Sequence, residues 1–241
     1  EDGIRDPLWS RGLGDVYKRQ DLYDTYVLPS WSDITAVGYA LPDHSGVSEE
    51  QVLEGLRTAF PVTSTAMGPD FVTVAGQFCS ADQPIRRSLG ARFYDWFEPK
   101  VQGSLHALLK YESMLVTTGP VDGMASALFT EEDALSKYLS VAEGVRIGCF
   151  QVQPAQLLEE VEFGDRVFVD GELPDVDGQP VEPYPCGLIC FRTPQGQVET
   201  VEVAVEDAEI LLSGKNLHTI DMPVLQALIQ RGIVVRNQWE L

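Results

Sequence analysis

The chain has 241 residues, of which 44% are hydrophobic and 22% charged, and it carries a formal charge of −20 at pH 7. That hydrophobic share can build a core, which excludes a disordered tail, and no apolar run reaches the roughly 18 residues that span a bilayer. The acidity repels phosphate backbones and so excludes autonomous binding to nucleic acid; it suits either simple solubility or a basic protein partner.

Residues 1–20 read as translated sequencing adapter. Ser10 to Gln20 back-translates onto a transposase-type library adapter, its second half spelled GAT GTG TAT AAG AGA CAG. Glu1 to Asp6 back-translates onto the flow-cell end of the same adapter, and Pro7, Leu8 and Trp9 fall where a sample index sits. Such scars are set aside before fold reasoning. The natural chain is then expected to begin near Asp21, at a read boundary, with any leader or earlier domain lying upstream. The acids Glu1, Asp2, Asp6 and Asp15 balance the bases Arg5, Arg11, Lys18 and Arg19, so the whole net charge belongs to the remainder.

The run from Asp33 to Leu41 predicts a strand, rich in β-formers and stopped by Pro42. Ser48 and Gln51 form a capping box for a helix with Val52, Leu53, Leu56 and Phe60 on one face, ended by Pro61. Residues 61–80 read as loop, with Phe71 to Ala75 a short extended piece. From Ile85 to Tyr111 the pattern is helical. Leu89, Phe93, Trp96 and Phe97 make an aromatic stripe, Pro99 breaks it, and Leu105, Leu108 and Leu109 resume it. Thr130 caps a short helix running to Leu139. Val145 to Val152 is a strand, Pro154 to Glu160 a helical turn, and Arg166 to Asp170 a strand entering an Asp170–Gly171 turn. Glu172 to Pro185 is an acidic loop. Cys186 to Phe191 and Val198 to Ala204 form a hairpin around Thr193 to Gln197. Glu206 to Leu212 is helical and stops at Gly214. Asp221 caps a last helix, with Pro223 in its first turn and Leu225, Leu228 and Ile229 inward, before Gly232 and a strand from Ile233 to Val235.

Catalytic motifs are sought without result. Gly214, Lys215 and Asn216 lack the rest of a phosphate loop, and Asp175, Asp177 and Gly178 hold only part of a calcium loop. No catalytic, cofactor-binding or metal-binding residue is assigned. His44, His106 and His218 are spread apart, each in a surface or structural setting. Cys186 and Cys190 fall on one face of a strand. With Cys79 and Cys149 they read as buried free thiols, since a zinc knuckle needs two residues between its cysteines and a second pair. A thiol nucleophile would have His218 as its base.

The order of elements resembles the part of JmjC-type ribosomal oxygenases that follows the catalytic cupin. Ser30 to Tyr39 is similar to the barrel strand leaving that core, Arg92 to Phe97 to the aromatic helix of its helical dimerisation region, and Phe163 to Glu172 and Pro223 to Gly232 to segments of its closing winged helix. The resemblance implies an α+β chain in four parts: the adapter at 1–20, remnant cupin strands at 21–45, a helical middle region at 46–128 and a winged-helix-like domain at 129–241. It implies a parent enzyme that binds Fe(II) through an H-x-D…H triad, takes 2-oxoglutarate and hydroxylates an Arg or His side chain of a ribosomal protein. Three facial ligands leave open positions for 2-oxoglutarate and O2. None of those ligands maps onto this sequence, so the cofactors belong to the intact parent. The implied partners are a second copy, through the helical region, and a basic ribosomal protein, in the cytoplasm and without direct contact to nucleic acid or membrane. The alternative is a non-catalytic, winged-helix-type protein-binding module.

Overall fold

The computed structural model describes residues 48–81, 88–119, 121, 139–155, 157, 161 and 183–236. These form an α+β structure in which a run of helices precedes the first four strands and two further helices lie between the fourth strand and the last. The segments 1–20 and 21–45, the helix proposed from Thr130, the Arg166 strand with its turn, His44 and the partial calcium loop lie outside the described residues.

Helix α1 spans Glu49–Ala59. The capping box closes as expected: Gln51 N–H donates to Ser48 Oγ at 3.2 Å, and Ser48 N–H donates to Gln51 Oε1 at 3.0 Å. Residues 61–80 depart from the expected loop. They form two helices, α2 (Pro61–Met67) and α3 (Pro69–Cys79), split by Gly68 at φ 54°. Each opens with proline in its first turn, where the missing N–H costs nothing. The expected extended piece at Phe71 to Ala75 is helical, with Phe71, Ala75 and Phe78 buried on one face.

Helix α4 (Leu89–Phe97) carries the aromatic stripe, a 3-10 turn at Glu98–Lys100 holds Pro99, and α5 (Gly103–Thr117) follows. Phe93 sits at the centre of an aromatic cluster, with ring centroids 5.3 Å from Phe60, 5.4 Å from Phe78 and 5.3 Å from Phe97. Eleven of the fifteen residues of α5 are buried. A helix buried all round must lie between two layers. Leu109 and Val116 join the core of α1, α3 and α4. Leu105, Leu108, Tyr111, Met114 and Leu115 join a second core with Phe150, Leu157, Cys186, Leu188 and Cys190.

That second core is one side of a three-stranded antiparallel sheet ordered β2–β3–β4, where β2 is Arg146–Phe150, β3 Cys186–Arg192 and β4 Val198–Val203. β3 is buried on both faces. Cys186, Leu188 and Cys190 face α5, while Ile189 and Phe191 join a third core. That core is closed by helices α6 (Val205–Ser213) and α7 (Met222–Gln230) and by a small antiparallel sheet of β1 (Leu139–Val141) and β5 (Val234–Arg236). Leu139, expected to end a helix, opens β1. The hairpin, both C-terminal helices and the final strand fall where the sequence places them. Gly214 and Gly232 end α6 and α7 at φ 63° and 73°, the left-handed geometry that favours glycine. Pro154, Ala155, Leu157 and Val161 are helical, as expected of that turn. Among the described residues, no helix is long and apolar enough to cross a membrane.

Candidate functional site

Three polar clusters stand out against these cores. The deepest is Glu112, on the buried helix α5 and 2% exposed. Its Oε1 accepts from Val62 N–H at 2.8 Å and its Oε2 from Thr63 N–H at 2.9 Å. The carboxylate therefore caps the free N–H groups at the start of α2, where proline occupies the first position. Burial pushes its pKa up to about 7, against the hydrogen bonds from Thr63 and Val62 that lower it. A carboxyl titrating near neutrality suits general acid–base chemistry. Here both oxygens are spent on backbone donors and the group is sealed from solvent, so its role is structural. The sequence reading passed over it. The legible signal was one acid inside the apolar run Leu105 to Val116.

The second cluster straddles the α4–α5 turn. Tyr94 Oη donates to Glu98 Oε1 at 3.1 Å, and His106 Nε2 lies 3.5 Å from the same oxygen. Burial first, then the charge and hydrogen bond of Glu98, raise the Tyr94 hydroxyl. Lys100 Nζ stands 2.9 Å from the Trp96 ring centroid, a cation–π contact that fixes the far side of the turn. These contacts staple a turn that Pro99 would otherwise only break. Glu98 and His106 are more than a third exposed, so their pairing adds little to stability.

The thiols form the third group. Cys186 and Cys190 are buried and all four cysteines are free. Both lie against α5, on one face of β3 as expected. Burial pushes Cys190 up to about 12, and burial together with Glu202 and Cys149 pushes Cys186 up to about 12. Cys79 and Cys149 are raised too, chiefly by burial. A nucleophilic cysteine needs the opposite shift. Labelling with a thiol-disulfide reagent at pH 7.5 is expected to leave Cys186 and Cys190 unmodified in the folded chain and to modify all four after denaturation. Fast labelling of either strand cysteine would revive a thiol nucleophile.

His106 lies in the first turn of α5 and pairs with Glu98, whereas His218 lies in a 3-10 turn at Leu217–Thr219. Among the described residues, no three His, Cys, Asp or Glu side chains converge on a point, and an H-x-D pair is absent from the whole sequence. Gly214 and Asn216 are both left-handed and form the link from α6 to the 3-10 turn. No protein-family model matches the chain, and no curated protein matches it either.

Proposed function

We propose that the chain is the region following the cupin core of a JmjC-type ribosomal oxygenase, a protein hydroxylase dependent on Fe(II) and 2-oxoglutarate whose iron ligands lie upstream of Asp21. The observation that supports this reading is the run of elements: a helical layer bearing the aromatic helix α4, then a sheet, then helix, left-handed glycine, helix, left-handed glycine and strand. In this reading α1 to α5 form the layer that dimerises, and the C-terminal unit is a winged-helix-like protein-contact module. The acidic surface speeds encounter with a basic ribosomal protein. The chain supplies no metal ligand in this scheme; it shapes and presents.

The test is an assay of the full-length parent with Fe(II), 2-oxoglutarate and a ribosomal-protein extract. One added oxygen atom on a basic ribosomal protein, matched by succinate release, is the expected result. Absence of any 2-oxoglutarate consumption would overturn it. A second reading, a non-catalytic protein-binding module, draws on the sheet. β3 is covered on both faces by elements of this chain alone, so the α/β unit closes its core without upstream strands.

A further inference from the structure

Helix α2 has seven residues, too few to stay helical without tertiary contacts. Only Thr63 and Ala66 are buried along it, while Val62 and Met67 rest half-buried on the core between α5 and the sheet. Non-helical backbone bounds it on both sides. Phe60 stands at φ −132° and ψ 61°, anchored in the aromatic cluster. Gly68 stands exposed at φ 54°, with nothing within 4 Å of where a Cβ would lie. Short segments between residues that can absorb a dihedral change are where folded chains open locally.

Among the described residues, the only hydrogen bonds that tie α2 to a distant element are the two that Val62 and Thr63 donate to Glu112. α2 itself carries no ionisable side chain. The elements packed against α5 carry Glu49, Glu50, Glu54 and Arg57 on α1, Arg92, Tyr94 and Asp95 on α4, and Glu98 and Lys100 in the 3-10 turn. They also carry Arg146 and Cys149 on β2, and Cys186, Cys190 and Arg192 on β3. None of these acts on the Glu112 carboxyl, which answers only to burial and to its bonds with Thr63 and Val62. Even Arg92, itself 3% exposed with its Nε and Nη1 unpartnered, does not compensate it. A sealed carboxyl without a counter-charge favours its neutral form, and water restores its ordinary acidity once α2 lifts. The closed chain therefore holds a proton that the open chain releases, so opening grows easier as pH rises.

We propose that α2 is a pH-operated flap, opening as a unit between Phe60 and Gly68 while the other helices and the sheet stay folded, with Glu112 as its latch. Opening would bare the part of the apolar core that Ala66 closes. The device is independent of the oxygenase reading.

The experiment is amide hydrogen exchange of the full chain from pH 5 to pH 8, with and without low urea, under conditions where reclosing outpaces exchange. Each rate is divided by its intrinsic value to give an opening constant. The amides of Thr63 and Ala66 are expected to open more often than those of Leu108 and Leu109 in α5. Their opening constant should rise by up to about tenfold per pH unit below 7 and level off above it. Low urea should leave it nearly unchanged, because a local opening exposes little surface. In Glu112→Gln the α2 opening constant should be flat with pH. Opening constants for α2 that match those of α5 and climb equally with urea would mean that α2 opens only when the whole chain unfolds. A wild-type α2 constant independent of pH would mean that Glu112 is no latch. Either result overturns the proposal, and should the glutamine variant not fold, the wild-type pH and urea profiles decide it alone.

Discussion

Replacing Gly187 by alanine is expected to be among the most damaging single-methyl changes this chain can receive. Gly187 sits on the α6 face of the central strand β3. A Cβ there would meet Ala208 Cβ at 2.5 Å and both Ala204 O and Val203 Cγ2 at 3.0 Å. The first obstacle has no rotamer to change and the second is backbone, so relief requires α6 to lift from the sheet. Overpacking of this kind costs ~1–3 kcal/mol and sometimes more, a large share of the ~5–15 kcal/mol that holds a typical domain folded. Gly148 is the control. There the nearest atoms are Met114 Sδ at 2.7 Å and the Phe150 ring at 2.8 Å, ends of side chains that can rotate away. Urea denaturation should rank wild type, Gly148→Ala and Gly187→Ala in falling order of stability. Adding Ala208→Gly should recover part of the Gly187→Ala loss, despite the ~1 kcal/mol that glycine costs inside a helix. Additive losses in the double variant would show that α6 does not rest on Gly187.

The second large effect belongs to Glu112. Truncation to alanine removes the acceptor of two buried backbone N–H groups, each costing ~1–3 kcal/mol when left bare. The start of α2 should then fray, and amide exchange at Val62 and Thr63 should accelerate well beyond that of the α5 core. The pH dependence follows from the direction of the shift. The folded carboxyl titrates near 7, above its ordinary 4.5, so between those values the folded chain holds a proton that the unfolded chain has lost. The stability this group contributes is therefore complete below pH 4.5 and is lost as pH rises through 7, by an amount on the order of 3 kcal/mol. Glu112→Gln cannot titrate, and its amide can serve only one of the two donors. It should be less stable than wild type at pH 5 and show a flatter pH profile between 5 and 8. Parallel profiles would mean that Glu112 is charged throughout.

Most of the regular structure was legible because its signals are local. Ser48 with Gln51, Pro223 at the start of α7 and the glycines at Gly214 and Gly232 each act within one turn of the residues they control. The Cys186 hairpin was legible from apolar runs flanking Thr193 to Gln197. What failed was residues 61–80. Val62, Thr63, Val72, Thr73 and Val74 are β-branched and carry strand propensity, yet Phe71, Ala75 and Phe78 must reach the core of α1, α4 and α5 and Ala66 the core between α5 and the sheet, and only helices put them there. Tertiary burial overrode propensity. The double burial of β3 was readable as a continuous apolar run. The positions of Glu112 and Arg92 in apolar stripes were visible but their roles were not, because whether a lone charged residue there is capped, paired or bare depends on elements distant in sequence.

The reading as a post-cupin region is tested most directly by the uncontaminated DNA upstream of Asp21 in the parent gene. An open frame running into Asp21 and encoding an H-x-D…H cupin is the expected result. An initiator methionine immediately before that aspartate would contradict it.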